Sequence, residues 1–204
     1  MSIAAALLLL ASASPAVTPL PVTSRQLAYE HDWRTVNAVR WRDRLGDHTL
    51  LLDESGEYPS KQRNPDSSDE DRDASVFAYE YLEAAGKTTR VWKLEDHQRD
   101  CPFDLEAYFV PGSVTITDLD ADGLAEVTFQ YTLQCTSDVS PATRKLILHE
   151  GKDKYAIRGT NRSPHYDPVY VSREPDPAFN KAPPAFLKHA LEQWDAFVDF
   201  GAPQ

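Results

Sequence analysis

The sequence predicts a mainly β protein, an antiparallel meander of hairpins forming a curved sheet or a sandwich, closed by one C-terminal amphipathic helix. Two observations carry this. Between residues 36 and 158, short runs with apolar residues two apart recur between polar, glycine-containing turns, whereas beyond residue 183 the apolar period becomes helical. No fixed repeat runs along the chain, which disfavours a propeller or solenoid.

Val36–Trp41 and Thr49–Leu52 flank the turn-rich Arg44-Leu45-Gly46-Asp47 and read as a first hairpin. Ser75–Glu83 and Thr88–Leu94 flank Ala84-Ala85-Gly86-Lys87 and read as a second. Leu105–Val110 and Ser113–Thr117 lead into an acidic stretch, after which Val127, Phe129, Tyr131 and Leu133 alternate with Thr128, Gln130 and Thr132. Lys145–His149 and Tyr155–Arg158 make the last hairpin about Gly151-Lys152-Asp153-Lys154. Phe186, Leu187, Ala190, Leu191, Trp194, Phe197 and Val198 then fall at helical spacing, entered by Pro183-Pro184 and closed by Gly201. Such an apolar stripe needs a sheet to cover it.

With 204 residues, 41% of them hydrophobic, the chain is expected to build one core and one domain, over residues 26–204. Residues 3–11 form a short apolar run followed by the small-x-small Ala11-Ser12-Ala13, so residues 1–13 read as a secretory signal peptide. The run is too short to cross a hydrocarbon core of ~30 Å, and no later stretch of ~18 apolar residues follows. The mature chain is therefore expected in the periplasm or outside the cell. Residues 14–25 read as a mobile lead, with order starting near Gln26, and the polar residues 53–73 read as a solvated loop. A net charge of -11 argues against nucleic acid and for cations or cationic partners.

The two cysteines, Cys101 and Cys135, form an even count in a chain read as exported, which favours a disulfide over two buried thiols. Such a bridge would contribute roughly 4 kcal/mol on the chain-entropy view. It would also tether the strands on either side of the acidic stretch that lies between the two residues.

That stretch reads Thr117-Asp118-Leu119-Asp120-Ala121-Asp122-Gly123-Leu124-Ala125-Glu126. Ca²⁺ takes hard oxygen ligands and tolerates irregular geometry, so alternate carboxylates around a turn-permitting glycine suit it. Asp118, Asp120 and Asp122 stand at loop positions one, three and five, the Leu124 carbonyl would supply the seventh, and Glu126 would close the shell. Phe129 occupies the place where an EF-hand needs glutamate, and the flanks are strands, which excludes that motif. The alternative is a solvated acidic turn. Mg²⁺ fits less well because it demands near-octahedral geometry.

With strands on both sides, the pattern resembles the calcium loops of FG-GAP and similar repeats, matched here by Asp118, Asp120, Asp122, Gly123 and Glu126, then Val127-Thr128-Phe129. Glutamate replaces the usual final aspartate. The resemblance implies a structural calcium ion and no activity. A wider stretch, about residues 90–160, resembles a bacterial exported family sometimes labelled surface polysaccharide biosynthesis proteins. It does so through Cys101-Pro102-Phe103-Asp104, the acidic loop, Cys135–Pro141 and Lys154–Gly159. That resemblance implies export and carries no catalytic residues.

None of His31, His48, His97, His149, His165 and His189 pairs with another at metal-binding helical spacing, so zinc is not expected. No Gly-x-Ser-x-Gly sets a nucleophile, and Asp138-Val139-Ser140-Pro141 reads as a turn. The expected protein is an exported, non-enzymatic, calcium-stabilised binding or structural component of the envelope or extracellular space, with an unidentified partner there. The alternatives are an acidic-surface inhibitor or adhesin, and an envelope hydrolase acting on glycans or peptides. The hydrolase needs Asp104, Glu106 or the pairs His31/Asp32 and His165/Asp167 to converge in a concave pocket.

Overall fold

The computed structural model describes residues 17–61, 71–163 and 171–199. The signal peptide read at residues 1–13 lies outside them, as do His165 and Asp167.

Among the described residues the strands form two antiparallel sheets. The first holds β1 (Thr18–Leu20), β2 (Arg34–Asp43), β3 (Gly46–Pro59), β4 (Arg72–Ala84) and β5 (Lys87–Cys101), side by side in chain order as a true meander. The second holds β6 (Asp104–Phe109), β7 (Thr115–Thr117), β8 (Glu126–Thr136), β9 (Thr143–Glu150), β10 (Asp153–Thr160) and β11 (Arg173–Pro175). Here the order departs from a meander, because β6 and β7 pair with successive parts of β8, whose other side carries β9, β10 and β11 in turn. A four-residue helix α1 (Ser24–Leu27), a 3₁₀ turn at Pro177–Lys181 and helix α2 (Pro184–Ala196) complete the elements of the described residues.

The period-two pattern decides the packing. Trp41, Leu50, Leu52, Val76, Ala78 and Leu94 of the first sheet share one core with Phe109, Val127, Phe129, Tyr131, Leu133 and Ile147 of the second. The other face of the second sheet offers Leu146, Leu148 and Ile157, and α2 lays Phe186, Ala190 and Trp194 on them. That is the covering the helical stripe demanded.

Helix α2 also changes the meaning of the alternation in β8. Thr128, Gln130 and Thr132, spaced as a water-facing row, are fully buried, and the Gln130 side chain donates to the Gln193 carbonyl at 2.8 Å. In the same way the first sheet is apolar on both faces, since Leu51, Phe77, Tyr79 and Tyr81 form a separate cluster roofed by Tyr29.

Two boundaries read from the sequence are corrected. The lead of residues 14–25 is ordered from Thr18, where β1 pairs with Arg40–Arg42 of β2, and α1 begins at Ser24, ahead of Gln26. The polar loop of residues 53–73 is shorter than its sequence suggests, because β3 takes in residues 53–59 and β4 starts at Arg72. Buried Asp53 accepts from the His31 ring at 2.7 Å, the Thr35 hydroxyl at 2.7 Å and the Trp33 amide at 3.3 Å. Glu54 accepts the Phe109 amide at 2.9 Å, tying β3 to the second sheet.

Cys101 and Cys135 are bridged, with Cα atoms 5.7 Å apart. The bond joins the end of β5 in the first sheet to β8 in the second. Its relation to the acidic loop differs from the sequence reading. The loop precedes the first residue of β8 and Cys135 lies near the last, so they stand about 30 Å apart at a strand rise of ~3.3 Å per residue. The disulfide fastens one end of the sandwich, and the acidic loop lies at the other.

Candidate metal centre

The loop between β7 and β8 is folded by its own carboxylates. Asp118 Oδ2 accepts the Gly123 amide at 3.1 Å, Asp120 Oδ1 the Asp122 amide at 3.2 Å, and Asp122 Oδ1 the Leu124 amide at 2.7 Å. Gly123 sits at φ 82° and Ala121 at φ 61°, the left-handed conformations that let the chain reverse so tightly. Glu126 begins β8 and turns back under the loop, where its Oε2 accepts the Leu119 amide at 2.9 Å and the Thr117 hydroxyl at 3.1 Å.

These bonds leave other oxygens uncommitted. Asp118 Oδ1, Glu126 Oε1 and Glu150 Oε1 are shielded from solvent and have no hydrogen-bond partner among the described residues. Asp118, Asp120 and Glu126 bring oxygens within 4.8 Å of one another, as do Asp120, Asp122 and Glu150. Asp120 belongs to both groups. Burial pushes the Glu126 carboxyl up to about 7, with Glu150 adding to the effect. Glu150 is also raised, first by burial and then by Asp120 and Asp122. Glu126 is fully buried; a carboxylate there without a countercharge is costly, and a divalent cation among these oxygens would relieve that cost.

Of the sequence-predicted ligands, Asp118, Asp120 and Glu126 come together, while Asp122 turns toward Glu150. Leu124 engages the loop through its amide, which donates to Asp122. Glu150 was missed. Its only signal is the β8–β9 register, which sets it opposite Glu126.

The first sheet reaches the loop through the β2–β3 turn. The Arg44 amide donates to the Gly123 carbonyl at 3.0 Å, and its guanidinium lies 3.3 Å from Asp122 Oδ2. Asp43 Oδ2 accepts the Ala125 amide at 3.2 Å, while Asp43 Oδ1 accepts from His48 Nε2 at 3.1 Å. His48 Nδ1 donates to Glu80 at 2.6 Å, and the ring stacks on Trp41 with centroids 5.1 Å apart. Burial alone would lower the His48 value, but the Asp43 and Glu80 carboxylates outweigh it and raise it to about 9. The loop thus sits on a buried imidazolium held between two carboxylates.

An apolar hollow of about 510 Å³ adjoins the loop, walled by Val17, Leu20, Val39, Trp41, Ile116 and Asp118. Near the disulfide, a polar cleft of about 250 Å³ brings Asp104 and Glu106 together with Asp138. Asp138 is committed to its turn, accepting the Thr136 hydroxyl and the Ser140 amide, each at 2.8 Å. The pair His31 and Asp32 diverges, one ring nitrogen going to Asp53 and the carboxylate to Lys93 at 2.7 Å.

Fold and site together define a two-sheet β protein with a disulfide at one end and a carboxylate-rich loop at the other. Comparison with protein-family models, curated proteins and solved structures finds no match to this chain.

Proposed function

We propose that this is an exported, calcium-stabilised binding or structural protein of the envelope or extracellular space, in which one Ca²⁺ ion held by Asp118, Asp120 and Glu126 orders the loop at the end of the sandwich. The supporting observation is the Glu126 carboxylate. It is fully buried, one oxygen lacks any hydrogen bond among the described residues, and oxygens of Asp118 and Asp120 lie within 4.8 Å. A solvated acidic turn has no reason to bury its last carboxylate unpaired. The resemblance of the loop to FG-GAP-type calcium loops agrees with this, and the disulfide suits an oxidising compartment.

Thermal unfolding of chelator-stripped protein tests the reading. Ca²⁺ at about a hundred times its Kd adds about 2.7 kcal/mol, which raises the Tm by about 5–10 °C, and EDTA reverses the rise. A Tm indifferent to both sinks the site.

A second reading, the hydrolase, is favoured by the cleft that brings Asp104 and Glu106 together. Burial raises the Glu106 carboxyl, with Asp104 adding to it, as a general acid requires. Hydrolysis of a glycan or peptide panel that is lost in Glu106→Gln supports this reading, and no turnover by the native protein removes it.

A further inference from the structure

Glu150 ends β9 and stands directly opposite Glu126 in the β8–β9 register. Like charges placed opposite one another across an antiparallel pair are destabilising. Here the two carboxylates also converge on the loop, each with a solvent-shielded Oε1 that has no hydrogen-bond partner among the described residues.

A ligand count explains the arrangement. One oxygen each of Asp118, Asp120, Asp122 and Glu126 is already taken by loop amides. Asp122 Oδ2 is further shared with Arg44. The loop therefore offers a cation about one oxygen per carboxylate, which falls short of the roughly six to eight that Ca²⁺ takes. Glu150 places an oxygen within 4.8 Å of those of Asp120 and Asp122, and Asp120 links it to the group that contains buried Glu126. A carboxylate from β9 moves the count toward the calcium range.

We propose that Glu150, outside the loop motif, is part of the cation site and sets its affinity for a large divalent ion, so that the bound ion fastens the end of β9 to the β7–β8 loop. The inference rests on the calcium reading of that loop.

Isothermal titration of CaCl₂ into the chelator-stripped full chain tests it, with Glu150→Gln compared against the native protein, Glu126→Gln and Asp153→Asn. Asp153 adds to the acidic field at Glu150 from β10 but belongs to neither carboxylate group, so its variant reports the field alone. Glu150→Gln is expected to weaken Ca²⁺ binding about ten- to a hundredfold, well beyond the effect of Asp153→Asn. Its Tm in EDTA is expected to be unchanged or raised, since a like-charge pair is removed. Calcium affinity in Glu150→Gln within twofold of Asp153→Asn, with binding still abolished by Glu126→Gln, overturns the role of Glu150 and leaves the loop site standing. No binding by the native protein overturns both.

Discussion

Replacing His48 with Gln removes the positive charge that bridges Asp43 and Glu80, and the effect should depend on pH in one direction. The imidazolium titrates near 9 in the folded protein against 6.5 when free. That difference corresponds to about 3 kcal/mol, at ~1.4 kcal/mol per tenfold change in proton affinity. Because the folded value is raised, the contribution is fully present below pH 6.5 and is lost as pH rises through 9. His48 is only 3% exposed, so solvent screening takes little from it. Urea unfolding of the native protein and His48→Gln at pH 6, 7.5, 9 and 10, at fixed calcium, measures the gap between them. The variant should be the less stable at pH 6, and the gap should narrow by about 3 kcal/mol toward pH 10. A gap that stays constant over that range refutes a charged histidine between the two acids.

Three further outcomes are expected. Replacing both Cys101 and Cys135 with Ala should cost about 4 kcal/mol in urea unfolding, from the 34-residue separation of the bridged residues. Given the ~30 Å between bridge and loop, that loss should be the same with and without calcium within about 0.5 kcal/mol. Glu126→Gln should raise the Tm in EDTA at pH 8 and remove the response to calcium, because ionising the buried native carboxyl, held at about 7, is costly. For this group too the folded value is raised, so the apo protein loses stability as pH climbs from 4.5 through 7, and a Tm profile in EDTA that rises over that interval contradicts it. Trp194→Ala should cost about 3–5 kcal/mol, read by calorimetry, since the indole is 1% exposed beneath α2 and fills the space over Leu146 and Leu148.

Strand positions were legible because the alternation in β8 and the turns at Gly46, Gly86 and Gly151 are local signals. Which side of a strand meets water is not local. Thr128, Gln130 and Thr132 look solvated, yet all three are buried, and Gln130 reaches a backbone carbonyl of α2, far along the chain. Asp53 failed for the same reason, since its partners His31, Trp33 and Thr35 lie on another segment, and a buried, triply bonded carboxylate reads in sequence like a solvated one. At the site, the spacing of Asp118, Asp120, Asp122 and Glu126 was visible because one turn sets it. Glu150 and Arg44 were not, because one depends on strand register and the other on the packing of two sheets. The disulfide partners followed from a count of two cysteines, yet their distance from the loop required the length of β8.

Strand β1 bears on how far the N-terminus tolerates trimming. Its three residues guard the outer rim of the first sheet, and Pro19, set against Trp41, offers no amide for another chain to pair with. A protease or a truncation that removes Leu20 uncovers the β2 rim from Arg40 to Arg42 and opens one wall of the hollow beside Asp118. A chain starting at Val17 keeps that stretch capped, and one starting at Pro21 leaves the backbone of Arg40–Arg42 open to pairing by another strand.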